Sequence, residues 1–292
     1  MTSVLYDVPG PRARRRILIG SIIGGLLVLA LLGLGFKRLS DNGIIGSHVW
    51  EVLTYPDVWD ALGRGLVATL KAAALSAVLA VLLGAVLTAL RLSPTRVLSW
   101  PAAVFTEVFR GLPVLLLMYF PFVIWTDVSP FTAVVIGLTL YNGSIIAEIL
   151  RSGVAALPSG QREAGLAIGL TPLATLRAIE FPQAVRIMLP TLVSQIVVLL
   201  KDTSLGYIVT YTELLTTVRE LRNFYGGQVT NDGVLFGSQV LFPIFIAGAV
   251  IYVAVNMSIS QFASWLARRG NKKAATAPRR DTGIEANTGG GA

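Results

Sequence analysis

Cysteine is absent from the 292 residues, and histidine occurs once, as His48. Without thiols there is no disulfide framework and no Cys-ligated zinc or iron–sulfur site, and one imidazole cannot build a His-rich metal cluster. Charge is scarce as well. Only 14% of the residues are Asp, Glu, Lys or Arg, against roughly 25% in soluble domains, while 54% are hydrophobic. The sequence contains no G-x-x-x-x-G-K-[ST] phosphate loop, so nothing in it is built to hydrolyse ATP. It also offers no nucleophile–base set around which a membrane-embedded enzyme would form.

What the chain has is long apolar runs. A bilayer core about 30 Å thick needs roughly 20 apolar residues in a helix, and runs of that order predict an all-α membrane protein with about six spans. They are Ile17–Gly35, Leu66–Leu90, Val97–Trp125, Phe131–Leu150, Ala184–Leu200 and Val234–Ala267. The first follows "RARRR" but lacks a small-x-small cleavage site, so it reads as an uncleaved span. The sixth is longer than one span needs and contains Pro243, which predicts tilt, a kink or an extra interfacial turn.

The net charge of +8 does not form a nucleic-acid-binding stripe; the basic residues gather at the chain ends and in particular loops. With both termini in the cytoplasm, Arg12 to Arg16, Arg91, Arg96, Arg151, Arg162, Arg177, Arg186, Arg268, Arg269, Lys272, Lys273, Arg279 and Arg280 fall inside. Lys37, Arg38, Arg64, Lys71, Arg219 and Arg222 fall outside, the asymmetry expected of an inner-membrane protein. Residues 1–62 then form an N-terminal segment, a first span and an outer interfacial stretch carrying Trp50, Tyr55 and Trp59. Residues 63–267 form the core, and 268–292 a polar tail expected to be disordered. Leu214, Leu215, Val218 and Leu221 predict an amphipathic helix on the outer surface.

The longest inner loop, about 152–183, carries a different pattern. Pro158 and Ser159 stop the preceding span and cap a short helix with Glu163 in its early turn, ending at Gly169 or Leu170. Thr171 caps a second helix with Pro172 at its first position, which Phe181–Pro182 ends. Such short helices need something to pack against. Gly165 and Gly169 remove bulk from one face, either for packing against the bundle or for docking a cytosolic partner.

The loop "EAGLAIGLTPLATLRAIEFP" resembles the EAA loop of ATP-binding-cassette importer permeases at Glu163, Ala164, Gly165, Gly169, Ile179 and Phe181–Pro182. Gly165 stands where Ala is usual and Phe181 where Leu is usual. "VFRGLPVLLLMYF", "AEILRSGVAALPSGQREAG" and "LPTLVSQIVVLLKDTSL" are similar to segments of the polar amino acid branch, with Leu112 in place of Thr. Within that branch the likeness is greatest to the D-type permeases of actinobacterial glutamate importers. The resemblance covers roughly Gly63 to Leu266. It implies a type I permease fold and a subunit of an ABC importer in the bacterial cell membrane, working by alternating access on a polar amino acid such as glutamate. Its partners would be a cytosolic ABC ATPase dimer holding ATP and Mg2+, a second permease subunit and an extracytoplasmic binding protein. The chain itself is expected to bind no cofactor. Glu163, Ala164, Gly165, Leu166, Gly169 and Leu170 become the candidate ATPase contacts. An ion-coupled secondary transporter is the alternative, although no inverted repeat supports it.

Charges inside apolar runs supply the remaining candidates, because each is costly unless paired or wetted. Glu107 and Arg110, three apart, either form an intrahelical ion pair or face the translocation path with Gly111 and Pro113, which make the helix irregular there. Glu148 and Arg151 repeat the spacing. Asn142, beside Tyr141 and Ser144, either bonds between helices or meets substrate. At the outer end of the fifth run, either Asp202 caps the outer segment or Lys201, Asp202, Thr203 and Ser204 together face the cavity and receive substrate.

Overall fold

The structure, a computed structural model, describes residues 10–275. Its helices are α1 (Pro11–Asp41), α2 (Ser47–Trp50), α3 (Pro56–Arg91), α4 (Arg96–Gly111), α5 (Val114–Ile124), α6 (Pro130–Ala155), α7 (Ser159–Ala167), α8 (Pro172–Thr175), α9 (Phe181–Asp202), α10 (Leu214–Tyr225) and α11 (Leu241–Ala275). Among the described residues the only extended pairing is an isolated bridge between Val229 and Leu235. The chain forms two compact units. One joins the segment up to Ala61 to Val218–Ala247, and the other joins Leu62–Thr217 to the chain from Gly248 onward.

In the first unit, α1 buries none of its side chains. Its hydropathy suits a bilayer, where lipid can cover the whole surface. The stretch expected to be an interfacial linker is partly helical, with α2, a 3₁₀ turn over Glu51–Thr54 and the start of α3. Tyr55 stacks on Tyr225 at 5.6 Å, and both rings meet Phe236 edge-on. A Glu51 carboxylate oxygen accepts the Asn231 N–H at 2.8 Å, tying this cluster to the loop after α10.

The second unit is a helical bundle around Ala72, Ala80, Met118, Val134, Leu138, Ile146, Leu199 and Leu200. Small residues let its helices approach closely, as membrane packing favours. A Cβ on Gly137 of α6 would stand 2.7 Å from the Met118 backbone nitrogen, so α5 lies directly on the α6 backbone. The expected amphipathic helix is α10, with Leu214, Val218 and Leu221 buried. Glu213 precedes it, its carboxylate accepting the Leu215 and Thr216 N–H groups.

Several spans depart from expectation. The third is two helices, α4 and α5, bent by 98° across Leu112–Pro113. The Leu112 N–H still bonds to Val108, but Pro113 has no N–H with which to continue the ladder. The fifth begins earlier than expected because Pro182 does not stop the chain: α8, a π turn over Leu176–Glu180 and α9 run on as one helical segment. Pro243 is the third residue of α11, which starts at Leu241 directly after a 3₁₀ turn over Ser238–Val240, so of the expected alternatives an extra turn is present and the missing N–H falls in the first helical turn. α11 also continues to Ala275, past the expected start of the tail at 268; residues 276–292 lie outside the described residues.

Candidate functional site

The loop between α6 and α9 is a sharp corner whose joints are visible residue by residue. α7 begins after Pro158 with no side-chain cap, so Ser159 is its first residue and not the expected cap. Glu163 accordingly falls in the second turn, beyond the strongest part of the helix dipole. The C-terminus of α7 is a Schellman closure. The Gly169 N–H donates to the Leu166 carbonyl at 3.0 Å and the Leu170 N–H to the Gly165 carbonyl at 3.1 Å, with Gly169 at φ +87°. Thr171 then caps α8 as expected, its hydroxyl oxygen accepting the Ala174 N–H at 3.3 Å, with Pro172 at the helix start.

Gly165 is buried, and a Cβ there would stand 2.7 Å from Thr175 Cγ2 and 3.0 Å from Ile179 Cδ1. It is where α7 closes on α8 and the π turn, a packing within the loop itself and not against the bundle. Its neighbours in the motif, Glu163, Ala164, Leu166 and Gly169, are exposed, and Leu170 is half-buried. Two residues outside the expected set join them. Ile168 is 77% exposed, Leu173 62% and Leu166 41%, three bare aliphatic side chains on a corner held by its own caps. Hydropathy periodicity misses them because they lie at a helix end and a helix start, outside any repeating face.

The π turn has a local cause. An α-helical Pro182 would lack the N–H for its turn, and its ring would crowd the carbonyl four residues back. One wider turn, with the Phe181 N–H donating to the Leu176 carbonyl, carries the chain past this conflict. Across the corner, the Gln183 amide donates to Gln161 at 3.2 Å, fastening α7 to α9.

Four of the charged candidates, Glu107, Arg110, Glu148 and Arg151, assemble into one cluster that includes an arginine not singled out from the sequence. Arg110 bonds Glu107 within α4, and Arg151 bonds Glu148 within α6 at 2.6 Å, as the spacing of three suggests. Arg91, at the end of α3, joins the pairs: its guanidinium donates to Glu148 at 2.7 Å and lies 3.7 Å from Glu107. One turn earlier, the Thr88 hydroxyl reaches the Ala147 carbonyl at 3.2 Å on the same α3–α6 seam.

Of the remaining pathway candidates, Arg110, Gly111 and Pro113 are exposed at the α4–α5 break. Asn142 is fully buried and ties helices together, its side-chain carbonyl accepting the Gln195 amide at 2.8 Å. Thr203 is also fully buried, its hydroxyl donating back to Leu200. Lys201 is exposed, while Asp202 and Ser204 are half-buried. Lys201 lines a recess of about 240 Å³ with Val197, Asn256, Met257, Ser260 and Gln261, residues of α9 and α11. The Asn256 side-chain oxygen is buried there without a hydrogen-bond partner. Asn256, Ser260 and Gln261 escaped the sequence reading because their spacing resembles an ordinary helix-packing face.

A polytopic helical bundle with a capped two-helix corner inserted before its penultimate span defines the class of a transport permease. Residues 80–272 match the family described as "Binding-protein-dependent transport system inner membrane component", and the chain belongs to that family. It is 39% identical over 242 residues to the glutamate transport system permease protein GluD of Corynebacterium glutamicum, covering 79% of this chain and 83% of that protein. It is 36% identical to the probable glutamine ABC transporter permease protein GlnP of Bacillus subtilis, covering 74% and 94%. Among solved structures, one described as an amino acid ABC transporter with histidines matches with a TM-score of 0.62 at 25% identity, over 74% of this chain and 97% of that one. The MetNI methionine ABC transporter in an inward-facing conformation shares the fold, with a TM-score of 0.59 at 19% identity. The chain is thus an ABC importer permease, and family membership removes the secondary-transporter alternative.

Proposed function

We propose that the chain is one of two permease subunits of an importer that carries a polar amino acid, glutamate first among them, inward by alternating access. The cargo reading is supported by relatives whose names specify glutamate and glutamine. Both termini lie in the cytoplasm, and the α7–α8 corner projects there into a cleft of an ATPase dimer that binds ATP and Mg2+. An extracytoplasmic binding protein delivers the cargo to the opposite face. The second permease subunit is a paralogue of this chain.

The observation that carries the reading is the bare aliphatic group Leu166, Ile168 and Leu173 on a corner whose geometry is already fixed. Burying each such side chain fully is worth about 1.5–3 kcal/mol, enough for a small knob to anchor a partner. Glu163, exposed beside them, adds a charge that can select the partner's register. On the transport side, the exposed Lys201 offers a cation suited to a carboxylate in a recess that it shares with the polar residues Asn256, Ser260 and Gln261.

The docking test uses Ile168→Asp with Leu173→Asp, and separately Glu163→Arg, in the full chain expressed with its partners. The double variant should reach the membrane at the normal level while ATPase recovery on affinity purification falls at least about tenfold, the equivalent of about 1.4 kcal/mol. Normal recovery would remove this loop as the docking element. The cargo is tested by uptake of labelled glutamate in competition with glutamine and aspartate; failure of all three to be carried or to compete would overturn the cargo reading alone.

A further inference from the structure

The five charges at the ends of α3, α4 and α6 form a chain of contacts in the order Arg110, Glu107, Arg91, Glu148, Arg151. Arg91 is the only member that touches residues of two other helices, and it is the most buried, its side chain 11% exposed. Its two links are unequal. The bond to Glu148 is a short charge-assisted hydrogen bond at 2.7 Å, whereas Glu107 lies at 3.7 Å, beyond direct hydrogen bonding. Each carboxylate also keeps a second arginine within its own helix, Arg110 for Glu107 and Arg151 for Glu148.

This arrangement has a mechanical consequence. A buried carboxylate that loses its only cation is heavily penalised, so a simple salt bridge between helices resists parting. Here Arg91 can leave Glu107 without orphaning it, because Arg110 remains. The Glu107 link is the easier one to break because it is longer, at 3.7 Å, and Glu107 is 51% exposed, whereas Glu148 is 23% exposed and held at 2.7 Å. The two sides of the link also lead to different places. α6 runs from Glu148 through Ala155 into the α7–α8 corner, and it is seated on α9 where Gly153 meets Met188 and Ala184. On the other side, Glu107 and Arg110 sit in the last turn and a half of α4, immediately before the 98° break at Leu112–Pro113.

We infer that Arg91 is a positioning residue that carries displacement of the α7–α8 corner from α6 to the α4–α5 break, by making and releasing its contact with Glu107 while holding Glu148. The inference rests on the corner being the ATPase contact. It assigns no substrate contact to Arg91.

The test uses the complex as it co-purifies from membranes, reconstituted in vesicles, with glutamate uptake and ATP hydrolysis measured together. Arg91→Gln and Glu107→Gln each remove the α4 link, and Glu107→Gln leaves the Arg91–Glu148 bond in place. Both should retain the ATPase at the wild-type ratio and hydrolyse ATP within about twofold of wild type, yet carry at least about fivefold less glutamate per ATP. Arg91→Lys, which keeps a cation at Glu148 but loses the forked reach, should lie between. Unchanged glutamate per ATP in Glu107→Gln would overturn the inference. So would loss of the ATPase from both glutamine variants, since Arg91 would then only hold the fold. Failure of the docking reading is recognised separately, by normal ATPase recovery in the Ile168→Asp and Leu173→Asp double variant.

Discussion

At the scale of single residues, adjacent members of one motif do opposite work. Ala164 is exposed, whereas Gly165 has Thr175 and Ile179 where a side chain would go. Gly165→Leu should therefore force α7 away from α8, at a cost of about 1–3 kcal/mol for overpacking, and Ala164→Leu should cost within about 0.5 kcal/mol. Thermal unfolding of the purified chain in detergent checks the difference; equal midpoints would show that the corner is not packed as described. Gly169 is constrained by the backbone instead. Nothing stands within 4 Å of its absent Cβ, but φ is +87°, so Gly169→Ala should destabilise the α7 terminus by about 1 kcal/mol. The readout is faster limited proteolysis between Leu166 and Thr171, with the global unfolding midpoint nearly unchanged.

At the scale of elements, the sequence was readable where the cause is local. Thr171–Pro172 states a helix start and Gly169 a helix end within a few residues, and the structure has both. Gly111 and Pro113 mark an irregular point, and α4 parts from α5 there, although the size of the bend depends on packing against α6 and was not legible. Pro182 misleads because a proline stop is only the commonest resolution of its missing N–H; a π turn is another, available when the flanking residues are already helical. Arg91 was invisible for a different reason. Its partner Glu148 is 57 residues away, so no window of sequence contains the pair. Pro182→Ala tests the π turn. With the N–H restored, an ordinary α ladder can form through Leu176–Glu180, which turns α8 relative to α9. Thermal stability should be retained while ATPase recovery falls several-fold; unchanged recovery would mean that the orientation of the corner does not depend on this turn.

At the scale of the whole molecule, the question is what α1 adds. About three quarters of this chain covers 97% of the solved amino acid transporter subunit, so that fold is complete without the remainder. α1 is a candidate for that remainder. Its 31 residues bury no side chain, and the family match starts at residue 80. With no side chain of α1 buried, its removal leaves no cavity of the kind that makes core truncations costly. A chain beginning at Ser47, with an initiating Met, should therefore insert and fold with an unfolding midpoint close to that of the full chain, the core helices keeping their packing around Met118, Val134 and Leu199. It should also recover the ATPase through the α7–α8 corner within about twofold, since about 0.4 kcal/mol separates those levels. If the basic start of α1, Arg12, Arg14, Arg15 and Arg16, sets orientation as the positive-inside rule expects, the shortened chain should show a larger misoriented fraction by protease accessibility in sealed vesicles. A lowered midpoint in the correctly oriented fraction would instead show that α1 is packed against the core in the membrane.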